Sequence, residues 1–163
     1  MSLFADDTKL YANPFSGYNQ LQTDLQEVAK WVDDWCLQLN TSKCAVLHLG
    51  KNNPRNRYVL SNVSLKTVSQ QKDLGVLVTE TLSWSEHIQS VCNKARTSVY
   101  LLSKTFSKIS PKNFVALFSV YVRPILEFAG PVWNVDWQRD SDRLESVQRW
   151  ATRISYGRSR PPY

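Results

Sequence analysis

Asp6 and Asp7 stand side by side at the end of a short apolar run, Leu3 to Ala5. Two carboxylates there make a hard oxygen site suited to Mg²⁺ or Mn²⁺. Two such ions can activate an attacking oxygen and stabilise a leaving one in phosphoryl transfer. Neighbouring strand residues point to opposite faces, so only a tight turn lets both carboxylates reach one metal cluster. Thr8 to Tyr11 is the returning arm such a turn needs. Taken alone, an Asp-Asp pair is ordinarily a solvated turn. Lys43 is the second candidate, in a loop between a helix and a strand, where a lysine can face a pyrophosphate or donate a proton to it. Its spacing alone reads as a surface lysine. His48 and His87 have no carboxylate or cysteine at ligand spacing, and read as structural or exposed. Cys36, Cys44 and Cys92 are odd in number and include no CxxC, which argues against a disulfide framework or a zinc site. There is no GxSxG, no phosphate-binding P-loop and no GxGxxG. The six tryptophans read as core or helix-contact anchors.

The elements that must position these residues follow from periodicity. Leu21, Leu25, Val28, Val32 and Trp35 recur at helical spacing and predict an amphipathic helix over about 18–38. Cys44 to Leu49 reads as a strand. Tyr58 to Leu60, Val63 to Val68 and Leu74 to Val78 are β-branched-rich runs that predict a small antiparallel sheet or two hairpins. Ser83-Trp84-Ser85-Glu86 is a possible capping box before a long helix carrying Ile88, Val91, Cys92, Ala95, Val99 and Leu102. Ser110-Pro111 is an N-cap followed by a first-turn proline. The next stripe is Phe114, Leu117, Phe118 and Tyr121. Asp140 or Ser141 can cap a last helix with Leu144, Val147, Ala151 and Ile154 inward, and Gly157 suits its C-terminal cap. The fold class is α+β. Residues 1–80 mix strands with one helix, 81–157 are all-helical, and 158–163 are a loose tail.

At 163 residues, 42% hydrophobic and 21% charged, the chain can bury a core, and wholesale disorder is excluded. No apolar run is long enough to span a bilayer, and the first residues lack the features of a signal peptide. These features point to an intracellular protein, in nucleus or cytoplasm, neither secreted nor membrane-bound. The charge is uneven. Residues 1–50 hold three bases and six acids, net −3, and residues 51–163 hold seventeen bases and eight acids, net +9. A basic region can hold a polyanion such as nucleic acid, although charge alone is more often a solvated surface.

The order of the pieces adds a resemblance. Phe4-Ala5-Asp6-Asp7-Thr8-Lys9-Leu10-Tyr11 resembles the (Phe/Tyr)-x-Asp-Asp box of the reverse transcriptases of non-LTR retrotransposons. Trp31 and Trp35, running into Leu39-Asn40-Thr41-Ser42-Lys43-Cys44, resemble the family's next segment. Asp73-Leu74-Gly75-Val76, then Leu82-Ser83-Trp84 and His87-Ile88, resemble a third. Val122-Arg123-Pro124-Ile125-Leu126-Glu127-Phe128 with Trp133, and Leu144-Glu145-Ser146-Val147-Gln148-Arg149, resemble the last ones. The segments occur in order over nearly the whole chain.

The resemblance implies that residues 1–80 are part of a polymerase palm, with Asp6 and Asp7 as catalytic metal ligands in its hairpin turn and Lys43 assisting phosphoryl transfer. Leu74, Gly75 and Val76 would lie in the hairpin that grips the primer end. Residues 81–157 would be a helical thumb holding an RNA template and DNA primer, or an RNA–DNA hybrid. By charge and position, Lys94, Arg96, Lys104, Lys108 and Lys112 are its candidate phosphate contacts. In the family, fingers and a first palm segment with another metal aspartate precede the catalytic box. The expectation is therefore a polymerase fragment, inactive alone, that takes Mg²⁺ and dNTP only when those segments complete it. Two other classes fit the residues: a basic helical nucleic-acid-binding module without catalysis, or an inert protein–protein adaptor.

Overall fold

A computed structural model describes residues 1–5, 7–106, 109–133 and 137–156. The protein is α+β. Its contacts divide it into one unit of residues 1–71 with 79–82, and another of 72–78 with 83–163. Among the described residues no helix is long and apolar enough to cross a membrane. The expected cap at Gly157 and the tail 158–163 lie outside the described residues.

The first unit begins with an antiparallel hairpin of β1 (Ser2–Phe4) and β2 (Asp7–Lys9), in register Phe4 to Asp7 and Ser2 to Lys9. Helix α1 (Tyr18–Asp34) buries Leu25 and Val32. It stops four residues before the expected end at 38. Cys36 takes φ +53°, its N–H donates to the Asp33 carbonyl at 3.0 Å, and the Leu37 N–H donates to Val32 at 2.9 Å. This is a Schellman stop with cysteine where glycine is usual, so the residue type did not signal it. Trp35, expected to face inward, is instead 68% exposed, with its ring centroid 6.3 Å from that of exposed Trp31.

A 3-10 turn (Thr41–Lys43) leads into β3 (Ala45–Leu47). The strands β4 (Val59–Leu60) and β5 (Val63–Ser64) form a hairpin whose two loop residues, Ser61 and Asn62, both have positive φ, the mark of a type I′ turn. β3 pairs in parallel with β6 (Lys66–Val68), so the small sheets are not all antiparallel. Gln22 of α1 takes the place of a strand neighbour for Val59. Its amide donates to the Val59 carbonyl at 2.8 Å and its oxygen accepts the Val59 N–H at 3.0 Å. Leu25, Tyr58 and Leu60 form the small core beneath.

The strands β7 (Gln70–Asp73) and β8 (Val76–Thr79) form the next hairpin. The second unit contains its tip together with α2 (Ser85–Thr105), α3 (Pro111–Tyr121), α4 (Arg123–Glu127) and α5 (Gln138–Tyr156). Its core is larger: Val76, Ile88, Val91, Cys92, Ala95, Val99, Phe114, Val122, Leu126, Trp133, Val147 and Ala151. It is therefore not purely helical, since the hairpin contributes Val76. Ser110 caps α3 as expected, its Oγ accepting the Asn113 N–H at 3.3 Å ahead of Pro111. Two local expectations fail. Trp84, not Ser83, is the N-cap of α2, and it makes no side-chain cap bond. Tyr121 is exposed, and Val122 takes the inward position because the chain turns there into α4.

Asp140 does not cap α5 from outside but lies in its first turn, 2% exposed. Its carboxylate accepts from Ser85 Oγ of α2 at 2.6 Å and from Arg143 Nη1 at 2.9 Å. A carboxylate is favoured at a helix N-terminus, and here it also joins two helices. Arg143 stays one-third exposed in its side chain, so the pair is only partly desolvated. Asp140→Ala is expected to lower stability by about 1 kcal/mol in urea unfolding, because it leaves two partly buried donors without their acceptor. A loss within experimental error of zero would show that the carboxylate is not a structural tie.

Candidate functional site

Asp7 is exposed at the first position of β2, opposite Phe4, at the turn end of the hairpin. Ala5, two residues before it, has φ +51°, the left-handed conformation that a two-residue hairpin turn uses. Asp6 lies outside the described residues. Among the described residues no three His, Cys, Asp or Glu side chains are grouped so as to hold a metal ion. The described part of the hairpin offers one carboxylate and does not by itself fit a divalent cation. Lys43 is exposed at the end of the 3-10 turn, and no hydrogen bond or ion pair joins it to Asp7 among the described residues. Burial raises the Cys44 and Cys92 thiols above their usual range, which keeps both protonated and unreactive.

Leu74, Gly75 and Val76 have a closely built setting. Leu74 (φ +44°) and Gly75 (φ +92°) are the two loop residues of the β7–β8 hairpin, again the type I′ pattern. Leu74 is exposed and Val76 is buried in the second unit's core. A Cβ on Gly75 would lie 2.8 Å from Cε1 of Phe128, so the Phe128 ring occupies the space that a side chain would need. The Phe128 carbonyl accepts the Trp133 indole N–H at 2.8 Å. The Trp133 ring meets the His87 ring edge-on, centroids 5.3 Å apart. His87 Nδ1 accepts the Leu77 N–H at 3.1 Å, which returns the chain of contacts to the hairpin. Burial, and secondly the charge of Lys94, hold His87 below its ordinary pKa, so it is neutral at pH 7.

The expected phosphate contacts are spread out. Lys94, Arg96 and Lys104 are exposed on α2, but at 3.6 residues per turn they point in three directions. Lys94 and Arg96 lie on opposite flanks of the buried stripe, and Lys104 lies away from it, its Nζ 5.6 Å from the centre of the Tyr100 ring. Lys112 is exposed in the first turn of α3. Lys108 lies outside the described residues. Sequence reading missed a more coherent group on α5. Arg139, Arg143, Arg149 and Arg153 fall within an arc of about 120° beside its buried stripe. Ser146 lies in the same arc and accepts Arg96 Nη2 of α2 at 2.8 Å, so Arg96 joins the row. The spacing of the four arginines was legible as a helical stripe, but its meeting with Arg96 was not. Arg139 and Arg143, with Ser85, Glu86 and Gln89, line a shallow depression of about 320 Å³.

Gly75→Ala carries two costs, a left-handed φ and the Phe128 ring. Gly50→Ala carries only the first, since Gly50 has φ +90° and nothing within 4 Å of its added Cβ. Urea unfolding is expected to show Gly50→Ala losing about 1 kcal/mol and Gly75→Ala losing more. The excess should shrink when Phe128 is also made alanine. Equal losses at the two glycines would contradict the close packing.

No protein-family model matches the chain, and no solved structure matches it. The chain is similar to a protein of Drosophila melanogaster described as "Probable RNA-directed DNA polymerase from transposon X-element", at 23% identity over 134 residues. That match covers 79% of this chain and 15% of the fly protein, so the chain spans a small part of its relative's length. This distant similarity agrees with the resemblance of the ordered segments to a reverse transcriptase of a non-LTR transposon.

Proposed function

We propose that this chain supplies part of the palm and the thumb of an RNA-templated DNA polymerase. The observation that carries the reading is the hairpin β1–β2, which presents exposed Asp7 at its turn end within a Phe-Ala-Asp-Asp sequence. Asp6 and Asp7 would contribute carboxylates to Mg²⁺ or Mn²⁺, with the remaining ligands, the dNTP pocket and the fingers coming from other polymerase segments. When bound, such ions supply charge stabilisation for phosphoryl transfer. Lys43 would act near the leaving pyrophosphate. Leu74, Gly75 and Val76 would meet the primer end, and the basic second unit would hold the template–primer duplex. On this reading the chain alone lacks polymerase activity.

A second reading, a nucleic-acid-binding module without chemistry, is favoured by one observation, the row of Arg96, Arg139, Arg143, Arg149 and Arg153. Guanidinium groups in a row suit successive backbone phosphates. The two readings part on activity. Primer extension on an RNA template with Mg²⁺ is expected to be silent with this chain alone. It should appear when a polypeptide carrying fingers and the first palm segment is added, and disappear again with Asp6→Ala or Asp7→Ala. Extension that survives both substitutions would overturn the carboxylate assignment. Silence in the mixture with hybrid binding retained would favour the second reading.

A further inference from the structure

We propose that His87 is the positioning residue of the hairpin tip: its neutral imidazole latches Leu74-Gly75-Val76 onto the helical unit, and protonation opens the latch. The functional meaning of the latch rests on the reading of that tip as the part that meets the primer end.

The geometry assigns the tautomer. Nδ1 accepts the Leu77 N–H at 3.1 Å, so the single proton of the neutral ring is on Nε2. Nε2 is buried with no hydrogen-bond partner among the described residues. The imidazole is 3% exposed and packs edge-on against Trp133, which is 4% exposed. Trp133 is tied through its indole N–H to the Phe128 carbonyl, and the Phe128 ring fills the space over Gly75. The tip is therefore held at Leu77 by a hydrogen bond and, less firmly, at Gly75 by the Phe128 ring, which is itself 54% exposed. Val76, between them, is buried in the same core.

Protonation removes the first hold. An imidazolium carries N–H on both nitrogens, so Nδ1–H would face Leu77 N–H donor to donor. It would also place a charge among apolar groups. The other charged groups of the packed elements do not favour that charge. On α2, Lys94 opposes it. The hairpin supplies Lys72 and Asp73, of opposite sign. α4 supplies exposed Arg123 and Glu127, which are paired with each other at 2.6 Å. On α5, Asp140 is engaged by Ser85 and Arg143.

The sign of the pH dependence follows. The folded-state pKa lies below the ordinary 6.5. The unlatched form therefore binds the proton more readily, and acid favours it. The latch is complete above about pH 6.5 and is lost as pH falls through the lowered value.

The test is a pH titration of the ¹⁵N-labelled full chain without nucleic acid, reading the His87 ring nitrogens and the exchange protection of the Leu77 amide. The Nε2–H tautomer is expected at pH 7.5. As the ring titrates, Leu77 should lose protection by about fivefold, the factor matching one hydrogen bond of ordinary net strength. His87→Phe keeps an aromatic ring beside Trp133 but cannot accept, and should remove the protection at pH 7.5. Protection unchanged through the titration, a proton on Nδ1 at neutral pH, or wild-type protection in a folded His87→Phe chain would each overturn the proposal. The wild-type titration decides the matter even if the variant fails to fold. Because nothing in it depends on template or primer, its failure leaves the polymerase reading standing, and absent primer extension leaves the latch standing.

Discussion

The tip of the β7–β8 hairpin is joined to the helical unit by two contacts, the burial of Val76 in its core and the hydrogen bond from the Leu77 N–H to His87 Nδ1. A two-residue hairpin has little reason of its own to sit anywhere, because isolated hairpins are marginal in water. Here the bond fixes Leu77 against α2, and Val76 buried in the core adds to the seat. Trp133 serves both sides, touching His87 and holding the Phe128 carbonyl. Some of the residues that carry the reverse-transcriptase resemblance in this half of the chain, Leu74-Gly75-Val76, His87, Phe128 and Trp133, are thus neighbours in space. Their spacing along the chain is explained by one packing problem, whatever chemistry the hairpin serves.

The two units differ in how their stability arises. The second buries a continuous core drawn from four helices and the hairpin, tied at one end by Asp140. The first has a small core, and Met1, Leu3, Phe4, Tyr11, Phe15, Trp31 and Trp35 are all exposed. Both units must close long loops, because β3 pairs with β6 in the first and α2 packs on α5 in the second.

Much of this was legible in the residue pattern. The stripes of α1, α2 and α5 stood out at helical spacing and Ser110-Pro111 marked the start of α3, but Leu74 and Gly75, read as the start of a strand, form the β7–β8 turn. Locally atypical features were not legible. Cys36 ends α1 in a conformation usually taken by glycine, so the helix was expected to run on and Trp35 to face inward. Non-local features were hidden as well. Asp140 looked like a cap because its partner Ser85 lies 55 residues away. His87 could be read as structural or exposed, and only its meeting with Leu77 and Trp133 decides between them. The arginines of α5 were visible one by one, but the candidates chosen for phosphate contact came from α2 and α3. Charge and chain position do not reveal which flank of a helix stays open.

The account's central claim is that this chain belongs to a machine that works on nucleic acid, and its second unit is where that claim is most exposed. The most direct measurement is the affinity of the full chain for an RNA–DNA hybrid as a function of salt. It should be compared with a chain carrying Arg96→Gln, Arg149→Gln and Arg153→Gln. The account predicts binding that weakens steeply with salt, with a slope that falls by roughly 0.9 for each phosphate contact removed, the B-DNA value. Binding with no salt dependence, or a slope unchanged by the three substitutions, would contradict it.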